Sequence, residues 1–137
     1  MNSTTVPILR YRDAENAIDW LCKAFGFEIF LKVKSEGGRI EHARLILETN
    51  MVMLASIGRS GPFEDGFKLP VDAGGVTQSV ILRVMNPEQI LKSAVAANAT
   101  ILTELSDATS GGVMFSCGDL ESHVWVFSSS DLWEKTW

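Results

Sequence analysis

The chain has 137 residues and a formal net charge of −5, and 46% of its residues are hydrophobic. A chain of this length buries roughly 68% of its unfolded surface, so it can form one ordinary core without disulfides or metals. We therefore expect one compact domain spanning residues 1–137. No run approaches the roughly 18 apolar residues of a membrane-spanning helix, and the residues after Met1 show no signal-peptide pattern.

The acidic balance and the cysteine count narrow the class further. No basic stretch is longer than a scattered pair, which argues against nucleic acid as a partner. Two cysteines, Cys22 and Cys117, are too few for a disulfide scaffold or a cysteine-only zinc site. We therefore expect a reduced, cytoplasmic protein that has no membrane partner.

The first predicted module spans about residues 5–57. A short β-rich stretch precedes Asp13, which is a good helix N-cap, and apolar residues then recur at helical spacing until Gly26. Three strands follow at about 28–34, 39–48 and 51–57. This order predicts a β-α-β-β-β unit.

A connection at residues 58–75 holds five of the eleven glycines and two of the four prolines, so it predicts a long loop or lid. Phe63 and Phe67 lie within it and could close on a ligand. A second module at about 76–130 repeats the pattern, with a strand at 76–85 and a helix that starts at Asn86 and Pro87. Its last strands are predicted at 100–105, 112–118 and 123–128, before an aromatic tail at 131–137.

The two modules can be superposed with a constant shift of 73 residues, which places Asp13 on Asn86 and the stretch 51–54 on 124–127. Such an internal repeat predicts an α+β fold of tandem βαβββ modules that form a curved mixed sheet around a cleft. Side chains alternate between the faces of a strand. One face therefore packs on the helix, and the cleft face carries Val6, Ile8, Arg10, Ser79, Ile81 and Arg83.

This arrangement resembles the vicinal oxygen chelate superfamily, which includes glyoxalase I, extradiol dioxygenases and the fosfomycin- and bleomycin-resistance proteins. The resemblance covers nearly the whole chain and rests on the segments 11–27, 38–45, 75–80 and 118–127. The uncharacterised glyoxalase-like branch is most similar, including its aromatic tail. The resemblance implies a homodimer, with a cleft formed within one chain or by exchange between two.

Catalytic members of the superfamily bind one divalent metal through four strand positions. The resemblance places these positions on Val6, Met53, Ser79 and Val126. None of these side chains is a usual ligand for a transition metal, which prefers imidazole, carboxylate or thiolate. We therefore expect no metal and no other cofactor, and lactoylglutathione lyase and ring-cleaving activities are disfavoured.

The remaining candidates are polar groups on the predicted cleft face. Arg10 and Arg83 are related by the repeat. They anchor an anion together, or each extends to the rim of the cleft or pairs with Glu41 or Asp72. His42 is either a general base or a hydrogen-bonded pocket histidine. Apolar and hydroxyl side chains would complete the ligand site, namely Met53, Ser79, Phe115 and Val126.

Three functions stay open at this point. The favoured hypothesis is a metal-free protein that binds a small organic molecule, anionic if the arginines contact it. The alternative is a metal-independent isomerase or lyase in which His42 is the acid–base, with Arg10 and Arg83 as electrostatic anchors. The third is a dimeric scaffold without a ligand. Trp133 and Trp137 would cover the cleft or a subunit interface, or pack on their own chain.

Overall fold

The computed structural model describes residues 4–109 and 111–135. Its strands are β1 (Ile8–Tyr11), β2 (Glu28–Lys34), β3 (Ile40–Leu47), β4 (Asn50–Ser56), β5 (Val80–Arg83), β6 (Thr100–Asp107), β7 (Val113–Gly118) and β8 (Val124–Ser128). Its helices are α1 (Ala14–Phe25), α2 (Pro70–Ala73) and α3 (Pro87–Ala96), with a 3₁₀ turn at Glu64–Gly66. None of the helices in these described ranges is long and apolar enough to cross a membrane.

The strands form two four-stranded mixed sheets, in the orders β1-β4-β3-β2 and β5-β8-β7-β6. The pairs β1–β4 and β5–β8 are parallel, and the others are antiparallel. The α+β class and the tandem βαβββ order are therefore confirmed. Strand β5 is shorter than the predicted strand at 76–85, because its parallel partner β8 begins only at Val124.

Both module helices begin as their sequences predict. The Asp13 side chain accepts a hydrogen bond from the Asn16 amide, and the Asn86 side chain accepts one from the Gln89 amide. Helix α1 ends at Gly26, whose φ of 87° lies in the left-handed region that favours glycine.

The repeat is visible in the strand register, but the shift is not constant. Ile8 pairs with Met53 and Ile81 pairs with Val126, so β1 maps to β5 and β4 to β8 with a shift of 73 residues (81 − 8; 126 − 53). Arg44 also pairs with Met53, whereas Ser116 pairs with Val126. Strand β3 therefore maps to β7 with a shift of 72 (116 − 44).

The slip arises in the turn between β7 and β8. Five residues separate the paired Gly118 and Val124, whereas four separate the equivalent pair Ile46 and Met51. A slip of one residue moves every side chain of a strand to the opposite face. The constant shift predicted from the sequence is therefore wrong for β7.

The turn between β3 and β4 also differs from the prediction. The strands predicted at 39–48 and 51–57 place Thr49 and Asn50 at the centre of this turn, which would pair Met53 with Ile46. The structure turns at Glu48 and Thr49, with Glu48 at a φ of 54°, and pairs Met53 with Arg44. The difference is two residues, so Met53 keeps the predicted face.

One hydrophobic core serves both modules. The ring of Phe25 on α1 lies 5.5 Å from Trp125 and 4.7 Å from Phe127, both on β8 of the other module. Trp125 is fully buried. Trp20 lies off the main apolar stripe of α1 and covers α3, where its indole N–H donates to the Ala97 carbonyl at 2.9 Å.

Hydrogen bonds between the modules occur in reciprocal pairs that obey the shift of 73 residues. In the first pair, Trp20 bonds to Ala97 and Ser93 bonds to Ala24. In the second pair, Asn50 bonds to Arg83 and His123 bonds to Arg10. In the third pair, Glu121 bonds to the Arg12 amide and Glu48 bonds to the Met85 amide. Reciprocal contacts of this kind are the property of a two-fold interface. The modules are therefore related by a pseudo-two-fold axis within one chain.

Asp119 adds a contact between the modules that the repeat does not duplicate. Its carboxylate accepts hydrogen bonds from the Tyr11 hydroxyl at 2.6 Å and from the Trp125 indole N–H at 3.0 Å. The amides of Glu121 and His123 complete its shell. Burial and the facing Asp119 charge raise the pKa of Tyr11 well above 10.0, so its hydroxyl stays a donor.

The Tyr11→Phe variant removes this buried donor and keeps the ring. A hydrogen bond to a charged group contributes about 1.5–3 kcal/mol, so we expect the free energy of unfolding to fall by that amount. Urea denaturation measures the change. The exposed variant Ser60→Ala is the control and should change stability by less than about 0.5 kcal/mol. Equal stability of Tyr11→Phe and the native protein would show that the Asp119 contact does not hold the modules together.

Candidate functional site

A groove of about 990 Å³ runs along the seam between β1 and β5. Most of its lining comes in pairs related by the shift of 73 residues, including Val6 with Ser79, Ile8 with Ile81, Asn50 with His123 and Met51 with Val124. Among the described residues, none with a formal charge lines it. The groove therefore suits an apolar body with a few hydrogen-bonding groups.

Aromatic rings from outside the repeat stand at the rim of the groove. Phe63 and Phe67 come from the connecting segment, defined here as residues 58–79, and their rings lie 5.2 Å apart. Trp133 comes from the tail, lines the groove and is 91% exposed. Trp137, the other predicted cover, lies outside the described residues.

Ile8 belongs both to the groove and to the side of the first sheet that faces away from the helices. Ile8, Met53 and Arg44 lie side by side in register on β1, β4 and β3, and they define what we call the first module face. The second module face is defined by the equivalent residues Ile81, Val126 and Ser116. Only the first face ends in a charged side chain.

Arg44 and His42 form a pair on the first module face. The Nε–H group of Arg44 donates to Nε2 of His42 at 2.9 Å. Burial lowers the pKa of His42 below its ordinary value of 6.5, and three neighbouring arginines lower it further. They are Arg44, Arg10 and Arg59. The imidazole is therefore neutral, and its Nε2 lone pair is already occupied.

Arg44 is the residue that sequence reasoning missed. Alternation along β3 places Arg44 on the same face as His42, but the sequence alone indicated no role for its charge. It is half-buried, and within residues 4–109 and 111–135 it forms no ion pair. A covered guanidinium normally has an anionic partner, and this lack of one was not visible in the sequence.

Arg10, in contrast, is already paired. It is 7% exposed, and its Nε and Nη2 atoms donate to the two carboxylate oxygens of Glu64 at 3.0 and 2.8 Å. The ring of Phe67 covers its guanidinium at 4.4 Å. The acids considered from the sequence pair elsewhere, Glu41 with Arg59 and Asp72 with Arg12.

Arg83 occupies the backbone position equivalent to Arg10 but has different surroundings. Its side chain is 56% exposed and lies 3.8 Å from Asp131. Neither arginine lines the groove. The structure therefore does not bring Arg10 and Arg83 together as a pair of anion anchors.

Phe115 was predicted to line the ligand site, but the structure places it in the core. It is fully buried on the helix side of β7, where its ring stacks on Phe127 at 5.3 Å. The one-residue slip of β7 causes the difference and moves Ser116 to the other face, with its Oγ atom 2.6 Å from Oγ1 of Thr103. Cys117 moves with Phe115 into the core, and burial raises the pKa of its thiol to about 12. The Cys117 thiol therefore stays protonated and unreactive.

His123 is half-buried between the modules. Its ring centroid lies 4.7 Å from that of Tyr11, and its Nε2 atom lies 2.9 Å from the Arg10 carbonyl oxygen. It also lines the groove. Its position matches that of Asn50, whose amide contacts the Arg83 carbonyl.

A family model described as Glyoxalase/Bleomycin resistance protein/Dioxygenase superfamily matches residues 2–127. The chain belongs to this superfamily. Among solved structures, it is similar to TioX from Micromonospora sp. ML1, with 30% identity over 95% of this chain and 100% of that chain and a TM-score of 0.72. A comparison with curated proteins gave no match.

Two more distant structures share the fold of the superfamily. FosX, a fosfomycin resistance protein from Listeria monocytogenes, is 10% identical over 96% of both chains, with a TM-score of 0.69. UcmS2 is 16% identical over 95% of this chain and 100% of that chain, with a TM-score of 0.67.

The residues that the resemblance places at the metal positions of the superfamily are not usual metal ligands. FosX has been solved with Mn(II) and a sulfate ion. Here the residues that the resemblance places at the metal positions, Val6, Met53, Ser79 and Val126, offer two aliphatic groups, a thioether and a hydroxyl. Such a set lacks the carboxylate and imidazole donors that Mn²⁺ and its neighbours prefer. The described residues also contain no group of three or more His, Cys, Asp or Glu that could hold a metal.

The lowered pKa of His42 predicts a pH effect on stability. As the pH falls, His42 takes up its proton in the unfolded chain before it does so in the folded chain. The contribution of His42 to the free energy of unfolding is therefore fully present above about pH 6.5 and is lost below it. We expect the melting temperature to fall more between about pH 7.5 and about pH 5.5 in the native protein than in His42→Gln. Other titrating groups cancel in this difference. Parallel melting curves for the two proteins would contradict the proposed environment of His42.

Proposed function

We propose that the chain binds a small organic acid with an apolar body, without a metal, on the first module face. The observation that carries this proposal is the half-buried guanidinium of Arg44, at the end of an apolar line formed by Ile8 and Met53. The body of the ligand would lie along the groove and Met53. Its acidic group would accept hydrogen bonds from Arg44, since guanidinium forms bidentate contacts with planar and tetrahedral anions.

The charges around His42 support an anionic ligand. Arg10 and Arg59 have acidic partners in Glu64 and Glu41, which leaves the charge of Arg44 without one among the described residues. The whole chain carries a net charge of −5, so this positive site stands out against an acidic background. Local fields of this kind concentrate anions near a binding face.

The contacts of His42 favour binding over catalysis. A general base needs a free lone pair within reach of the proton that it removes. Nε2 of His42 accepts from Arg44, and the lowered pKa of the ring makes it a weak base. We therefore do not assign an isomerase or lyase reaction to this face.

We also propose that a second copy of the chain covers this face. In one chain the helix sides of both sheets share a core, whereas the other sides have no helix against them and leave Ile8 43% and Ile81 46% exposed. In a homodimer, the first module face of one copy would lie against the second module face of its partner. The ligand would then be enclosed between Met53 and the partner's Val126.

The role of Arg44 can be tested with two fluorescent probes. Anilinonaphthalene sulfonate (ANS) carries an aromatic body and one anionic group, and N-phenylnaphthylamine has a similar body without the charge. We expect Arg44→Met to weaken ANS binding by about tenfold or more, because a charged hydrogen bond contributes about 1.5–3 kcal/mol. Binding of the neutral probe should not change. Fluorescence titration measures both affinities.

Two controls accompany this measurement. Arg83→Met removes an exposed arginine at the equivalent position of the other module and should leave ANS affinity as it is. Dialysis against a chelator should also leave it as it is. An equal loss for both probes would mean that Arg44 only shapes the site, and an unchanged ANS affinity would refute the proposed anion contact.

The shared site in a dimer can be tested by mixing two defective chains. Arg44→Met damages the first module face, and Val126→Trp blocks the second. Each homodimer should bind ANS poorly. A heterodimer purified through two different tags should regain one intact site in two, about half of the native capacity. No recovery, or a monomeric native protein in ultracentrifugation, would contradict a site formed between two chains.

A further inference from the structure

Arg10 and Glu64 already form a complete arginine–carboxylate site. Both nitrogens on one edge of the guanidinium contact the carboxylate, and the third donor, Nη1, lies 3.3 Å from the Leu9 carbonyl oxygen. The side chains are only 7% and 11% exposed. This is the geometry in which an arginine holds the acid group of a ligand.

The carboxylate comes from the connecting segment rather than from the sheet. Glu64 begins the 3₁₀ turn, and the other contacts of this part of the segment with the sheet include Arg59 on Glu41 and Phe67 on Arg10. These contacts are mostly between charged groups. The segment becomes firmly buried only at Leu69 and Pro70, so residues 58–67 can move while the rest stays anchored.

Phe67 separates Arg10 from the groove. Its ring lies on the guanidinium at 4.4 Å and also lines the groove. Displacement of residues 63–67 would therefore remove both the internal carboxylate and the ring, and it would open Arg10 to a molecule in the groove.

Arg10 and Arg44 point from the same side of one sheet. One strand, β4, lies between theirs, and their partners on it, Ala55 and Met53, are two residues apart. With strands about 4.8 Å apart and about 3.3 Å per residue, the two Cα atoms are on the order of 12 Å apart. Two acidic groups of one small molecule can span that distance, since both side chains are long.

We propose that Arg10 is a second anion subsite, that Glu64 occupies it in the absence of ligand, and that the ligand is an organic diacid which displaces Glu64. This rests on the proposed function, in which Arg44 binds the first acidic group. Residues 58–67 must open before a diacid can bind at both arginines. Because only the open fraction of the protein can do so, the apparent affinity for a diacid is lower than the affinity of the open form. A monoacid binds at Arg44 without moving the segment.

The test compares ANS with bis-ANS, a related molecule that carries two sulfonates. Glu64→Gln replaces the carboxylate at the Arg10 subsite with a neutral amide, which a ligand displaces more easily, and should raise bis-ANS affinity about tenfold, with less than about a twofold change for ANS. The double variant Arg10→Met/Glu64→Gln should lose the gain. Equal gains for both probes, or no gain for bis-ANS, would overturn the proposal. Failure of Arg44→Met to weaken ANS would instead overturn the proposed function, so the two failures are distinguishable.

A second measurement uses the native protein and needs no variant. Trypsin can cleave after Lys68, at the end of the part of the segment that we expect to move. Saturating bis-ANS should speed this cleavage several-fold, whereas saturating ANS should not. Mass spectrometry of the fragments identifies the site of cleavage. An unchanged rate at Lys68 with bis-ANS would show that the segment stays in place and would refute the displacement of Glu64.

Discussion

Within a single chain, each sheet of this fold packs only one of its faces against helices. The helix sides of both sheets share one core, in which Phe25 of the first module packs on Trp125 and Phe127 of the second. The opposite sides have no helix to cover them. Because side chains alternate along a strand, one register therefore decides which residues stabilise the core and which remain for a ligand or partner.

This constraint explains which parts of the fold were predictable. Helix starts, the stop at Gly26 and the tandem order follow from local patterns, such as an N-cap followed by apolar residues at helical spacing. The error at Phe115 has a single cause. The turn after β7 holds one residue more than its counterpart, and no local signal shows where an insertion changes the register.

The charges of the site were harder to predict than its geometry. Arg10 and Arg83 share a backbone position, yet one is buried against Glu64 and the other is exposed near Asp131. Glu64 is 54 residues away from Arg10, in a segment without periodicity. That Arg44 lacks an acidic partner among the described residues becomes visible only once Arg10 is seen to pair with Glu64 and Arg59 with Glu41. Long-range pairing depends on how loops fold over the sheet, which a repeat does not determine.

The reciprocal hydrogen bonds have a consequence for chain connectivity. None of the six depends on residues 58–79, because all of them join the two modules directly. A backbone cut in that stretch would leave each half with the donors and acceptors that recognise the other. The two fragments would therefore keep the complementary contacts that they need to reassociate, as the subunits of a dimer do.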